Sequence, residues 1–399
     1  MGEVLYRLLR VLPDLLVFIV SVLGQMTGLV WLLASKAKDA GRRTRLVIAG
    51  VAGLSMAASL IAFLLHFQRV ARFFPGWWLS WGTALSVTWA LLTVCWLVGC
   101  AVLAAVSTLA SRIAPQHSAG HNPARRRFFQ TAYAAVFAGP PAVLGYGVFI
   151  QRHQLFLREH NLQIADLPHD LDGLRLVQLT DIHLSPFLSR LELERAIDMA
   201  NETRAHIALV TGDLITTNRD PLDNCLDSLA RLRADAGVYG CLGNHEIYAD
   251  AEDYVESEGA RRGLRFLRLG AAPLRFGNTA LNLVGVDYQA LHRPYLVGAE
   301  KLVVPGAFNL LLSHNPDVFP VAARQGYAVT IAGHTHGGQI RVEILHADLN
   351  PGHFYTPYVD GVYRKGPASI FVSRGIGTIA VPARVGAPPE VSLVRLCRI

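Results

Sequence analysis

Charge is scarce in this sequence. Asp, Glu, Lys and Arg make up 17% of 399 residues, 52% are hydrophobic, and mean hydropathy is +0.32. So little charge excludes a disordered chain and is too apolar for an ordinary soluble enzyme. Acidic residues are nearly missing from the first 152 positions, which hold 3 Asp and Glu beside 14 Lys and Arg. Residues 153–399 hold 27 acidic and 23 basic side chains, so the pI of 9.3 comes from the N-terminal third. The remainder has no excess of positive charge to meet phosphates, and no nucleic-acid partner is expected. Cysteine is sparse as well. Cys95, Cys100, Cys225, Cys241 and Cys397 form no Cys-x-x-Cys pair, which argues against a zinc ribbon and a disulfide scaffold.

What is present divides the chain in two. Four apolar stretches run at about 11–34, 46–67, 79–111 and 128–150. Leu46 to Phe67 carries no formal charge and is long enough for a hydrocarbon core of about 30 Å. The first stretch has Pro13 and Asp14 near its start, where a helix tolerates both. Gly139, Pro140 and Pro141 predict a kink in the fourth. Residues 1–152 are therefore expected to be a membrane domain of about four helices, and 153–399 a separate domain. Lys36, Lys38, Arg42, Arg43 and Arg45 mark one basic loop, and Arg112, Arg125, Arg126 and Arg127 another. The loop between them has Arg69 and Arg72 beside Phe73, Phe74, Trp77 and Trp78. Basic loops stay in the cytoplasm and tryptophans favour the interface, so everything after Arg152 is expected outside the cytoplasm of an inner-membrane, multi-pass protein. Arg125-Arg126-Arg127-Phe128-Phe129 also resembles a twin-arginine export signal; a plain positive-inside anchor fits equally.

After residue 161 the pattern alternates short apolar runs with helical segments, which predicts α/β layering with buried strands. LRLVQLT (174–180), AHIALVTGD (205–213), VYGCLGNHE (238–246), FNLLLSHN (308–315) and YAVTIAGHTH (327–336) read as strands, followed by 369–377 and 391–396. Segments 191–202 and 221–234 read as helices, and 274–287 as a hairpin turning at Gly277-Asn278. Asp, Asn and His cluster where the first five strands end. Ligands bind at the carboxyl ends of strands in open α/β sheets, so residues distant in sequence are brought to one edge.

Five motifs stand there: Asp181-x-His183, Gly212-Asp213, Gly243-Asn244-His245-Glu246, His314 and Gly333-His334-Thr335-His336. Oxygen and imidazole donors without thiolates suit Mn, Zn or Fe rather than a structural zinc. Residues i and i+2 of an extended segment share a face, so Asp181/His183 and His334/His336 can each aim two donors at one centre. The glycines allow tight turns and close backbone approach. Glu246 reads either as an orienting partner of His245 or of a ligand, or as a cap. Arg374 reads as a phosphate contact or a salt bridge, and His292, Arg293 and Tyr295 as an exposed loop. His346 and His353 read as loop histidines, and Asp14 and His66 as helix-end residues.

The order of the motifs resembles the calcineurin-like metallophosphoesterases over about residues 160–399. SRGIG (373–377) and PPEV (388–391) are similar to the membrane-anchored bacterial phosphodiesterase branch. The resemblance implies a β-sandwich flanked by helices in place of an open sheet. It implies two divalent metal ions, the first held by Asp181, His183 and His336, the second by Asn244, His314 and His334, with Asp213 bridging. It implies that His245 faces the scissile phosphate rather than a metal, and that a metal-bridging hydroxide attacks phosphorus. The expected activity is metal-dependent hydrolysis of a phosphodiester or pyrophosphate, lipid-linked or from the envelope. The alternative is a membrane-bound sensor that binds phosphate ligands on a retained metal site. A transporter fits less well, because the spans hold few charges. A His-x-His-x-Asp hydrolase is excluded, because Gly337-Gly338 follows His336.

Overall fold

The computed structural model describes residues 19–30, 41–65, 76–113, 123–290, 295–344 and 347–399. Asp14, Lys36, Lys38, His66, Arg69, Arg72, His292, Arg293 and His346 lie outside them. The chain divides into two compact units, Met1–Tyr146 and Gly147–Ile399.

The first unit is helical. Helices run over Arg42–Leu65, Gly76–Ile113 and Pro123–Phe149, the last ending inside the second unit. Each holds a segment long and apolar enough to cross a membrane: Arg42–Ile61, Trp78–Ala110 and Pro123–His153. A shorter apolar helix, Ile19–Val30, is what is described of the first expected span. The fourth helix continues through Gly139, Pro140 and Pro141, although two prolines remove two backbone donors. Val47, Val51, Leu54, Leu85 and Val98 are exposed, as suits side chains solvated by lipid rather than water. The interior polar groups pair with one another. The Gln25 amide nitrogen donates to Ser21 Oγ (3.0 Å) and Ser59 Oγ (3.1 Å). Ser55 Oγ donates to the Gln25 carbonyl, and the Trp89 indole N–H to Ser55. Where water is absent such pairs hold helices together.

The second unit contains two six-stranded sheets. One has the order β1 (Phe156–Ile164), β14 (Glu390–Arg398), β2 (Arg175–Leu179), β3 (Ile207–Thr211), β4 (Val238–Cys241), β5 (Leu264–Phe266). The other runs β12 (Gly361–Lys365), β13 (Ala368–Val372), β9 (Val329–Ala332), β8 (Phe308–Leu312), β7 (Thr279–Gly285), β6 (Gly270–Phe276). A hairpin of β10 (Val342–Ile344) and β11 (Ala347–Leu349) stands apart. The expected hairpin at Gly277-Asn278 is the β6–β7 pair.

One core lies between the sheets, with Leu176, Leu209, Cys241, Leu283, Leu310, Ile331 and Phe371 all buried. The other face of the first sheet packs Val177, Leu179, Ala208 and Val210 against helices Arg190–Glu202, Leu222–Leu229 and Glu252–Arg261. The outer face of the second packs against Phe319–Gln325 through Phe319, Ala332, Ile370 and Val372. Strands β2, β3, β8 and β9 are consequently buried on both faces, which is why they read as mostly apolar runs without strict alternation. The two sheets form the sandwich flanked by helices that the resemblance implies, in place of the open sheet that the alternation alone suggests. Periodicity cannot tell which buried strands share a sheet.

Strand β1 begins before residue 161, ahead of the alternation read from the sequence. It is an edge strand that pairs parallel with β14, and of its nine residues only Leu162 and Ile164 are buried. An edge needs little apolar surface, so the sequence signal is faint there.

Strands β2, β3 and β4 are mutually parallel, and so are β8 and β9. Their carboxyl ends carry Asp181, Asp213, Asn244, His314 and His334 within a few residues.

Candidate metal centre

The loops after these strands hold the backbone in an uncommon conformation. Asp181 (φ 50°), His183 (47°), Asp213 (55°), His334 (76°) and His336 (52°) all sit in the left-handed region. Such values are rare for side-chain-bearing residues and collect at functional sites. Neighbouring glycines leave the room they need. A Cβ at Gly243 would fall 2.1 Å from Asp213 Oδ1, and one at Gly333 2.4 Å from Asp181 Oδ2. Gly212, at φ 87°, backs onto the Gly243 nitrogen, 2.5 Å from where its Cβ would stand.

The side chains converge. Asp181 Oδ1 lies 3.4 Å from His336 Nε2, and His183 Nε2 lies 3.2 Å from the same nitrogen. Asp213 Oδ2 lies 3.1 Å from His314 Nε2 and 3.5 Å from His183 Nε2, between the two groups. His334 Nδ1 stands 3.2 Å from His314 Nε2. Three sets have donor atoms within 4.8 Å of one another: Asp181/His183/His336, Asp213/His314/His334 and His183/Asp213/His245. All of these residues are buried except His334, which is half-buried. Asn244 Oδ1 is buried without a hydrogen-bond partner. A buried amide oxygen without a partner, and imidazole nitrogens that face one another, suit a cation better than a hydrogen-bond network, because a cation takes lone pairs.

The far nitrogens explain which lone pairs face inward. His314 Nδ1 pairs with Thr211 O at 2.7 Å, and His245 Nδ1 with Thr216 O at 2.7 Å. His183 Nδ1 lies 3.2 Å from Thr216 Oγ1. A carbonyl can only accept, so Nδ1 carries the proton in His314 and His245 and Nε2 is left for the site. Thr211 and Thr216 were missed from sequence; Thr216 had only its place three residues after Asp213 to mark it. Tyr288 was missed too, its ring 5.4 Å from that of His334.

Glu246 proves to be a cap. Its carboxylate accepts from the N–H groups of Asp213 (2.9 Å), Leu214 (2.7 Å) and Gly243 (2.7 Å), so one side chain ties the β3 loop to the β4 loop. Arg374 pairs with Asp360 through two nitrogens at 2.7 Å, the salt-bridge reading. Tyr295 packs on the core around Val286 and Tyr327, and His353 is exposed.

Without a cation, the cluster is electrostatically crowded. Burial, reinforced by Asp213, pushes Asp181 up to about 6, while the His314 charge works against both. Burial lowers His183 to about 3, and the His245 charge adds to this. Burial also opposes charge on His314, but Asp213 and Asp181 overcome it and hold the imidazolium up to about 10. Asp213 is itself held well below the usual carboxylate range: burial opposes its charge, and His314 and His245 outweigh it. A proton on His314 thus sits where a divalent charge could.

Residues 174–338 match the calcineurin-like phosphoesterase family. The chain is 28% identical to an uncharacterized metallophosphoesterase, YkuE, of Bacillus subtilis, over 68% of this chain and 97% of that one. It is 28% identical to a zebrafish transmembrane protein with a metallophosphoesterase domain, over 84% of this chain and 79% of that one. Among solved structures, a phosphopantetheinyl hydrolase from Mycobacterium tuberculosis aligns over 52% of this chain and 91% of its own, at 11% identity and a TM-score of 0.34. A zebrafish dimetal phosphatase aligns over 51% and 88%, at 13% identity and a TM-score of 0.30.

Proposed function

We propose that the C-terminal unit is a calcineurin-like metallophosphoesterase domain that acts as a phosphodiesterase on two divalent metal ions at the outer face of a membrane. Asp181, His183 and His336 would hold one ion, Asn244, His314 and His334 the other, and Asp213 both. The reading is carried by one observation. Asp213 Oδ2 stands between two groups of inward-facing nitrogens, 3.1 Å from one and 3.5 Å from the other. When bound, divalent cations supply a nucleophile at neutral pH and polarise phosphoryl oxygens.

The chain's own residues do the rest. Glu246 fixes the two loops that carry Asp213 and Asn244. The Thr216 carbonyl holds the His245 ring by Nδ1, so its Nε2 can stabilise developing charge or hold a proton for the departing alkoxide. Basic residues in the loops before and after the second and third apolar stretches support a cytoplasmic side there and an exterior one for the catalytic unit. That placement, with three apolar helices of spanning length, favours an inner-membrane location and a phosphodiester or pyrophosphate that is lipid-linked or belongs to the envelope.

The test uses the full chain in detergent. Two metal ions per chain are expected, with cleavage of bis-nitrophenyl phosphate. His245→Ala should lower turnover by about 10²–10⁴-fold and keep both ions. Bound metal without turnover on any ester would replace the enzyme by a phosphate-binding protein.

A further inference from the structure

The largest fully buried side chain of the second unit is a cation that the chemistry above does not use. Arg384 is 0% exposed. Its guanidinium is surrounded by carbonyl groups from three segments. Nε donates to Gly377 O at 3.0 Å. Nη1 donates to His336 O (3.0 Å), Arg374 O (2.9 Å) and Ala387 O (3.2 Å). Nη2 donates to Gly377 O and, at 3.3 Å, to Gly375 O, and lies 3.4 Å from His336 Nδ1. A buried charge is costly unless every donor is satisfied, and each nitrogen of this one reaches a main-chain carbonyl.

Two of the three segments form the back of one half of the metal centre. The first is His336 itself, held at φ 52° by its own carbonyl and ring. The second is 374–377, which clamps Asp181. The Ile376 N–H donates to Thr180 O (3.2 Å) and the Gly377 N–H to Asp181 O (2.7 Å). A Cβ at Gly375 would fall 2.5 Å from Asp181 Cβ, and one at Gly377 2.2 Å from Ile182 O. Among the described residues Arg384 donates no hydrogen bond to the loops that carry Asn244 and His314, nor to His334 itself, which shares its loop with His336.

We infer that Arg384 is a positioning residue for one metal: its guanidinium sets the backbone of Asp181 and His336 and makes no bond to Asn244, His314 or His334. The inference rests on the two-metal reading. The Arg384 segment is itself held from outside. The Arg384 N–H donates to Gly147 O (3.2 Å) and the Gly386 N–H to Gln151 Oε1 (2.7 Å). A Cβ at Gly147 would stand 2.9 Å from Arg384 O and 2.7 Å from Val385 Cγ2, so Gly147→Ala presses on the same segment without touching a ligand.

The experiment is a calorimetric Mn²⁺ titration of the full chain in detergent, beside Arg384→Met, Arg384→Lys and Gly147→Ala. Circular dichroism and thermal melting check folding. Arg384→Met should weaken one of two sites by about 10–100-fold, the range for groups that orient a metal ligand, and leave the other unchanged. Arg384→Lys should not rescue it, because a point ammonium cannot reach carbonyls in three segments as a planar fork does. Gly147→Ala should weaken the same site by less, and it carries the test if Arg384→Met fails to fold. A folded variant that binds both ions as the parent does, or weakens both alike, overturns the inference. A parent chain that binds fewer than two ions overturns the two-metal reading instead, whatever the variants do.

Discussion

Among the described residues of the N-terminal unit, one set of neutral polar groups is mutually paired: Gln25 answers Ser21, Ser55 and Ser59, and Trp89 answers Ser55. In the C-terminal unit a buried set at the strand ends is charged or chargeable, and its donor atoms face each other. Asp181, His183, Asp213, His314 and His336 are all buried. The first arrangement is complete as it stands. The second makes sense only with something between the groups. A satisfied polar cluster holds elements together, whereas a converging set of lone pairs in a strained backbone marks a place where chemistry is done.

That contrast yields measurements of decreasing size. Gly243→Ala strikes hardest, because the new methyl falls on Asp213 Oδ1. A displacement of about 1 Å costs roughly 10²-fold in turnover, so kcat/KM on a diester should fall at least that far. Next is Glu246→Gln. The amide has one acceptor oxygen where the carboxylate has two, and three backbone N–H groups depend on it. A loss of about 1–3 kcal/mol in denaturant unfolding is expected for a donor left unsatisfied.

Third is the pH dependence of the metal-stripped chain. His314 is raised from 6.5 to about 10 in the folded state. Its contribution to stability is fully present below 6.5 and is lost as pH rises through about 10. Melting temperature without metal should therefore fall across that window, and saturating Mn²⁺ should remove the decline. A metal-free melt that holds steady or rises there would contradict the proposed charge on His314. The smallest effect belongs to the other unit. Gln25→Leu should cost about 0.6–2 kcal/mol of helix association, the usual worth of such bonds in lipid, and leave diester hydrolysis unchanged.

Much of this was legible before any coordinates. The apolar runs announced the helices because length and hydropathy suffice for that. The five motifs announced the strand ends because Asp and His are otherwise rare directly after buried strands. Three things were hidden. The pairing of strands into two sheets depends on contacts between β14 and its neighbours β1 and β2, which no local pattern carries. Strand β1 was hidden by its edge position. Arg384 was hidden because its partners are carbonyl groups, which every residue has. The sequence marks it as one more arginine, and only burial singles it out.

The left-handed conformations at Asp181, His183, Asp213, His334 and His336 have a consequence for attempts to re-engineer the protein. At each of these places glycine would suit the backbone better than the residue present, by about 1–2 kcal/mol. Selection for thermal stability alone would therefore favour erasing the donors proposed to define the site, and on that proposal a hardened variant is more easily obtained as a dead one. Replacing a proposed ligand to change metal preference meets the same obstacle. A substitute must supply the right atom and also tolerate a positive φ, which Asn and Asp do and β-branched side chains do not. Exchange of donors is thus confined to a short list of residue types, set by the main chain before coordination chemistry is consulted.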